Sequence, residues 1–172
     1  MGRLTLDPLA HIDLFGFISI MLLNFGWGKP VMVNDSNFKN RSRDNMLVSL
    51  AGPMSNFLLA IVLTVILKLA LVSGIVNQGF IDGTGGILIN MLILGIQFNV
   101  IFAVFNMIPL PPFDGGKVLL HFLPYKSKQV MYKLEEYSLF IVLFLFITKI
   151  GILIISPVVS LVERLLYFII NM

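Results

Sequence analysis

The stretch from Asn106 to Gly116, which reads Asn-Met-Ile-Pro-Leu-Pro-Pro-Phe-Asp-Gly-Gly, decides how this chain folds. Its three prolines follow a long apolar run. Because proline lacks a backbone donor, a helix arriving from Gly86 should end near Ile108. Irregular backbone at membrane depth occurs where protein buries it or where it lines a wet cavity. A carboxylate there needs a metal or another cation beside it. Asp114 is therefore a candidate functional residue, and an ordinary surface turn is the equally weighted alternative.

The composition is that of a membrane protein. The 172 residues are 58% hydrophobic and 12% charged, and the mean hydropathy is +0.96. Soluble domains carry about 25% charged residues. The net charge of +3 does not indicate nucleic-acid binding, because the basic residues lie beside apolar spans. The absence of cysteine excludes disulfides and thiolate metal sites.

Long apolar runs predict an α-helical polytopic membrane protein that forms a single integral membrane domain over residues 1–172. A transmembrane helix needs about 20 apolar residues. Three runs meet this length and predict transmembrane helices at 47–72, 86–108 and 137–155.

Shorter patterns predict the remaining elements. The apolar run 14–27 is too short for a full crossing and predicts a re-entrant segment. Residues 158–170 either form a C-terminal membrane helix or lie along the surface. Alternation of apolar and polar residues predicts short β-strands at 3–7 and 30–34.

The basic residues predict the orientation in the membrane. Of the 12 Lys and Arg, four lie in loop 29–45, four in 117–136 and none in 73–85. Cytoplasmic loops carry the excess of Lys and Arg. Loops 29–45 and 117–136 are therefore predicted to be cytoplasmic, which places Asp114 near the inner surface. Lys68, near the far end of the first span, is expected to extend its ammonium to the interface.

The second predicted span is rich in amides. Asn90 and Gln97 are seven residues apart and share one helix face. Amides within a bilayer usually bridge neighbouring helices, and this structural role is the one we expect for these two. Asn106 differs because it lies at the broken helix end, eight residues before Asp114.

Four motifs occur in an order that resembles the bacterial branch of the site-2 protease family. They are GRLTLDPLAHID at residues 2–13, GWGKPV at 26–31, AGPMSN at 51–56 and NMIPLPPFDGG at 106–116. The resemblance covers residues 2–117, and residues 137–172 would be additional C-terminal helices. The last motif is specific; Gly-Pro-x-x-Asn alone would be weak.

The resemblance implies a zinc metalloendopeptidase in the bacterial plasma membrane, which cleaves transmembrane protein substrates within or near the bilayer. It assigns Asp114 as the third zinc ligand and Asn106 as a catalytic residue that supports the oxyanion or positions substrate. Residues that would support the site are Gly52, Pro53, Asn56, Pro109 and Gly115. The predicted strands would pair with an unwound substrate.

The chain departs from the family in one respect. Site-2 proteases bind zinc through His-Glu-x-x-His, in which two histidines face one metal and the glutamate activates water. Neither histidine of this chain, His11 or His121, begins such a motif. A substitute site formed by His11, His121 and Asp114 is disfavoured, because no glutamate base stands near them in the sequence.

Two classes of function follow. We expect either a site-2 protease truncated at its N-terminus, inactive and without stoichiometric zinc as this chain alone, or a non-catalytic membrane protein that retains the fold for binding or scaffolding. A small channel or transporter subunit is a weaker third reading.

Overall fold

A computed structural model describes residue 7 and residues 11–23, 26, 28–29 and 34–171. The chain divides into two compact units, residues 1–38 and 39–172. Each unit is considered by itself below.

The first unit contains helix α1, Leu14–Leu23. Asp13 precedes it and accepts a hydrogen bond from the Gly16 amide through Oδ1 at 2.9 Å, which satisfies one free donor of the first turn. Ten residues span about 15 Å, about half of the bilayer core. The helix is thus too short to cross the bilayer, which is what the re-entrant prediction for 14–27 requires. Residues 24, 25 and 27 lie outside the described residues.

The predicted short β-strands gain no support. Among the described residues the β pairing is one isolated antiparallel bridge between Ile12 and Gly28, beside which the Lys29 amide donates to the His11 carbonyl at 2.9 Å. The predicted strands at 3–7 and 30–34 fall outside the described residues except for Asp7 and Asn34, and neither of these is in a strand.

The second unit begins with α2, Arg41–Val72. Asn40 accepts a hydrogen bond from the Arg43 amide at 3.2 Å, and the Asp44 carboxylate accepts one from the Asn40 amide at 3.0 Å. This reciprocal capping explains why the helix begins six residues before the predicted 47.

The second span begins close to its predicted start. A short helix, α3 (Gln78–Asp82), interrupts the preceding loop, and α4 then runs over Thr84–Asn106. The helix ends two residues before the predicted Ile108. The prolines that follow have no backbone N–H group, so they cannot continue the helical hydrogen bonds.

Four helices follow the proline-rich loop. They are α5 (Asp114–Phe122), α6 (Tyr125–Glu136), α7 (Ser138–Ile147) and α8 (Ile150–Asn171). The polar segment predicted at 117–136 is therefore helical, and it occupies most of α5 and all of α6.

The bounds predicted for the third span, 137–155, are wrong. The chain turns after Thr148 at Lys149, whose φ of 58° is left-handed, so α7 has only 10 residues. The helix long and apolar enough to cross a membrane is α8, with 22 residues. Pro157 lies inside α8 and does not end it, since membrane helices accommodate proline when neighbouring groups satisfy the freed carbonyl.

Helices α2, α4 and α8 pack around one core, and these three are the candidate membrane spans among the described residues. The buried core side chains are Ala60, Leu67, Ile96, Val100 and Leu166. The other faces are apolar and exposed, as lipid contact requires. Pro53 of α2 and Ile155 of α8 line one cleft, and Lys68 Nζ donates to the Ile169 carbonyl at 2.9 Å. Helices α2 and α8 therefore run parallel, and α4 runs antiparallel to both.

Candidate functional site

The loop between α4 and α5 folds back on the end of α4. The amides of Met107 and Ile108 close the last turn on Val104 and Phe105 at 3.1 and 3.2 Å, and the Phe113 amide donates to the Leu110 carbonyl at 3.0 Å. The rings of Phe105 and Phe113 meet edge to face with centroids 4.6 Å apart. Phe113 is only 5% exposed. The loop is therefore a packed structure, in which the Pro111–Pro112 peptide bond is cis.

Gly115 and Gly116 allow the first turn of α5 to lie directly on this loop. A Cβ atom added to Gly115 would overlap the Met107 carbonyl oxygen, and one added to Gly116 would lie 2.8 Å from the Leu110 carbonyl carbon. Both obstacles are backbone atoms, which cannot rotate away. The two glycines of the motif are thus explained by close backbone approach.

Asp114 is the first residue of α5 and is half-buried. Its Oδ2 faces Gly52 of α2, where an added Cβ would lie 3.4 Å from that oxygen. Desolvation by burial raises the pKa of the Asp114 carboxyl above its ordinary value, and the charge of Lys117 offsets part of this increase. The N-terminus of a helix also favours a carboxylate. The carboxylate therefore lies between two helices, where a bound cation would relieve its desolvation.

The other predicted site residues surround this carboxylate unevenly. Asn106 is the half-buried last residue of α4. Because the Met107 carbonyl lies against Gly115, Asn106 and Asp114 mark the two ends of one closed loop. Asn56 follows Gly52 by one turn on the same side of α2.

The two prolines assigned to the site border a cleft. Pro53 is buried within α2, and Pro109 is exposed on the loop. Together with Phe57, Ile108 and Ile155 they line an apolar cleft of about 410 Å³ between α2, α4 and α8. This cleft reaches Met107 and thus adjoins the loop that presents Asp114.

The residues only partly fit a zinc centre. Catalytic zinc sites use three protein ligands, and the described part of the chain contains no group of three His, Cys, Asp or Glu side chains that could hold a metal. His121 lies seven residues after Asp114, about 10 Å along the same helix. Its Nδ1 is 2.9 Å from Ser42 Oγ. His11 belongs to the first unit, where its Nδ1 is 3.0 Å from the Asp7 carbonyl. Asp114 is thus one fitting ligand, and these residues do not complete a zinc site.

Sequence reasoning did not identify two interactions. Lys117 acts on the carboxyl of Asp114, and its spacing of three residues on a helix was a visible signal. Ser42 and His121 are in contact, and this contact joins α2 to α5. The two residues are 79 positions apart, so no local sequence pattern predicts it.

Comparison with known proteins identifies related sequences. Peptidase family M50 matches residues 72–148. The chain is 36% identical over 160 residues to a Bacillus subtilis protein named "Putative zinc metalloprotease YwhC", and the alignment covers 92% of this chain and 71% of that protein.

A second relative comes from an archaeon. The chain is 37% identical over 76 residues to "Putative zinc metalloprotease MJ0611" of Methanocaldococcus jannaschii, which covers 44% of this chain and 34% of that protein. No solved structure matches the chain.

Proposed function

This chain belongs to peptidase family M50, the site-2 protease family, and we propose on this basis that it supplies the aspartate side of a zinc endopeptidase centre. The substrates would be transmembrane proteins that are cleaved within or near the bilayer. The three candidate spans support an integral membrane protein, so such substrates would share its membrane.

One observation carries this proposal: the placement of Asp114. Its carboxylate begins a helix directly after a broken span, and it is half-buried against Gly52 of α2. A desolvated carboxylate of this kind is unfavourable unless a cation or metal neutralises it. Asp114 would therefore act as one oxygen ligand to zinc. A zinc ion bound in such enzymes activates water for attack on a peptide carbonyl.

The neighbouring residues would bind and position the substrate. Asn106, at the opposite end of the same loop, would donate hydrogen bonds from its amide to the carbonyl of the bound peptide. Gly52 and Gly115 would keep α2 and the loop close to Asp114. The cleft lined by Pro53 and Pro109 would receive apolar side chains of the substrate, since it is almost free of polar groups.

The remaining metal ligands are not among these residues. The 172 residues contain no His-Glu-x-x-His sequence, and Asp114 alone does not hold zinc tightly. We therefore expect these 172 residues, purified by themselves, to bind no stoichiometric zinc and to show no peptidase activity.

Metal analysis tests this proposal directly. The chain would be purified alone and also after co-expression with a membrane helix that carries His-Glu-x-x-His. We expect one zinc per complex after co-expression, and at least about tenfold weaker zinc binding for Asp114→Ala, because a lost ligand costs more than a lost supporting group.

Asp82→Ala is the matched control, since this carboxylate is exposed on α3; it should leave zinc binding unchanged. Equal zinc affinity of the Asp114→Ala and unchanged complexes would refute the proposal. One tightly bound zinc in these 172 residues alone, lost on Asp114→Ala, would refute the expectation that they hold no zinc by themselves.

The orientation in the membrane completes the proposal. The N-terminus of α2 and the C-terminus of α4 lie at the same end of the bundle, where Pro53 and Pro109 line one cleft. Loops 29–45 and 117–136, which carry most of the basic residues, would then face the cytoplasm of a bacterium. The proposed centre would open toward the inner surface of the plasma membrane.

A further inference from the structure

Helix α8 carries one acidic and one basic residue, Glu163 and Arg164, which are adjacent in the sequence. The helix has 22 residues and is therefore about 33 Å long, close to the thickness of the hydrocarbon core. Arg164 precedes the last residue of the helix by seven positions, so both charges lie about 10 Å or more from either end. Charges at this depth are costly and are normally paired.

These two charges have no partner within the described part of the chain. The side chains of Glu163 and Arg164 form neither a hydrogen bond nor an ion pair with any described residue. They do not face each other, because consecutive residues of a helix point about 100° apart. The Lys68 ammonium, which approaches the end of α8, donates to the Ile169 carbonyl instead. A partner for both charges therefore has to come from outside the described residues.

The two charges flank an exposed line on α8. Ser160 and Tyr167 are seven residues apart, share one face of the helix and are exposed. Glu163 lies about 50° to one side of this line and Arg164 about 50° to the other. Leu166, the buried core residue of α8, points about 110° away from the line. The line is therefore not used in packing α8 against α2 and α4.

The adjoining surface of α4 is also polar and without partners. Asn90 and Gln97 are exposed, and the helix-bridging hydrogen bonds expected for them are not formed among the described residues. Gln97 lies beside Glu163 and Tyr167 at the groove between α4 and α8. Hydrocarbon offers these amides no hydrogen bonds. This side of the chain therefore has the composition of a contact between membrane helices.

We propose that this side of the chain binds a second copy, so that α8 packs against α8 about a two-fold axis. Copies in one membrane share one orientation, so the axis lies along the membrane normal and the two helices are parallel. With Ser160 on the axis, Glu163 of each copy faces Arg164 of the other copy, because an isologous contact brings opposite flanks of the two helices together. One arrangement thus neutralises every charge on both helices.

A second copy fits these charges better than other occupants do. A different membrane helix would need a base and an acid at the same depth and spacing, whereas a second copy has them by symmetry. Extension of Arg164 to the membrane surface would leave Glu163 unpaired. Ser160 is small, and small residues let two membrane helices approach closely.

Disulfide cross-linking tests the interface without any need for peptidase activity. The chain has no cysteine, so a disulfide dimer of Ser160→Cys has to join residue 160 of two copies. Copper phenanthroline would be added to the chain in vesicles with a large excess of lipid, which limits random collisions. We expect Ser160→Cys and Tyr167→Cys to form disulfide dimers, because both residues would bring their Cβ atoms close to the two-fold axis, and a disulfide requires Cβ atoms about 4 Å apart.

Leu161→Cys and Phe168→Cys are the matched controls. Both side chains are exposed, but each follows a residue of the line by one position and points about 100° away from it. Cross-linking at 161 and 168 should therefore stay at background. Equal cross-linking at 160 and 161 would indicate random collision and would overturn the proposal, as would the absence of cross-linking at both 160 and 167.

Charge variants test the pairing itself, with energy transfer between labelled copies in vesicles as the readout. Glu163→Gln removes one member of each pair, so the Kd of the dimer should increase about tenfold. Glu163→Arg should abolish dimerisation, because only positive charges then meet. Combined with Arg164→Glu it should restore dimerisation, because the pairs form again with reversed signs.

Two outcomes of these measurements would overturn the proposal. One is an unchanged Kd for Glu163→Gln together with no recovery in the charge-reversed double variant. The other is a chain that stays monomeric in purified vesicles at every concentration, which would point to a different membrane protein as the occupant of this face.

Discussion

Three local influences meet at the Asp114 carboxyl. Burial raises its pKa, Lys117 lowers it, and the N-terminus of α5 favours the charged form. Gly52 lets α2 approach the carboxyl, and Gly115 lets the loop pack against the first turn of α5. At the scale of single residues, the site thus depends on the charge of Asp114 and on the glycines beside it, which carry no side chain.

The raised pKa of Asp114 predicts a pH dependence of stability. Because the folded chain holds this proton more tightly than the unfolded chain, the stabilisation is complete below the ordinary pKa of 3.8 and is lost as the pH rises through the folded-state value. From about pH 4 to about pH 7, the Tm of the metal-free chain should therefore fall relative to that of Asp114→Asn.

The expected change is small, about 1–2 °C, because the carboxylate is only half-buried and solvent screens it. Thermal unfolding of both proteins in the presence of a chelator measures it, and Glu136→Gln, at an exposed position on α6, is the control. A Tm difference that stays constant with pH would contradict the raised pKa.

Gly115→Ala should destabilise the fold. The new Cβ would overlap the Met107 carbonyl oxygen, and the backbone would have to move at a cost of about 2–3 kcal/mol. This corresponds to a Tm that is lower by roughly 4–12 °C. Gly79→Ala is the control, since its Cβ would lie an ordinary 3.6 Å from Asn77 Oδ1. Equal Tm values for the two variants would show that the loop backbone moves to accommodate the new methyl group without loss of stability.

At the scale of elements, the third span shows how a polar residue sets a helix boundary. Apolar residues run almost without interruption from 137 to 155, yet Lys149 adopts a left-handed conformation and divides them between α7 and α8. Pro157 lies inside α8, although proline commonly ends or kinks a helix. Helix α8 then runs beside α2 to its end, where Lys68 contacts it.

Lys68→Met should weaken the attachment of α8. The Lys68 ammonium donates to the Ile169 carbonyl, which is one of the free carbonyls at the negative end of α8. Loss of this charge-assisted bond should cost about 1–2 kcal/mol, and therefore lower the Tm by roughly 2–8 °C. Thermal unfolding of Lys133→Met, at an exposed position on α6, provides the comparison. An unchanged Tm for Lys68→Met would mean that the bond contributes nothing to stability.

At the scale of the whole molecule, the parallel course of α2 and α8 predicts where the chain ends. In the proposed orientation α2 runs outward and α4 inward, and α8 would cross outward again, so Asn171 should lie on the same side as loop 73–85. The basic loops should lie on the opposite side.

Because the chain has no cysteine, single cysteine substitutions test this topology cleanly. An impermeant maleimide added to intact cells should label Gln78→Cys and Asn171→Cys. It should label Lys128→Cys only after the membrane is permeabilised. Labelling of Asn171→Cys and Gln78→Cys on opposite sides would contradict the parallel arrangement.

The sequence by itself determined the membrane class, the first two spans, the site-2 protease family and the position of the helix break before Asp114. These depend on composition, hydropathy and proline, which act locally. The fit of Gly115 against Met107, the position of Gly52 beside Asp114 and the contact between Ser42 and His121 were decided only by the tertiary structure. The division of the 137–155 run was also beyond the sequence, because hydropathy measures transfer into lipid and does not report where the backbone turns.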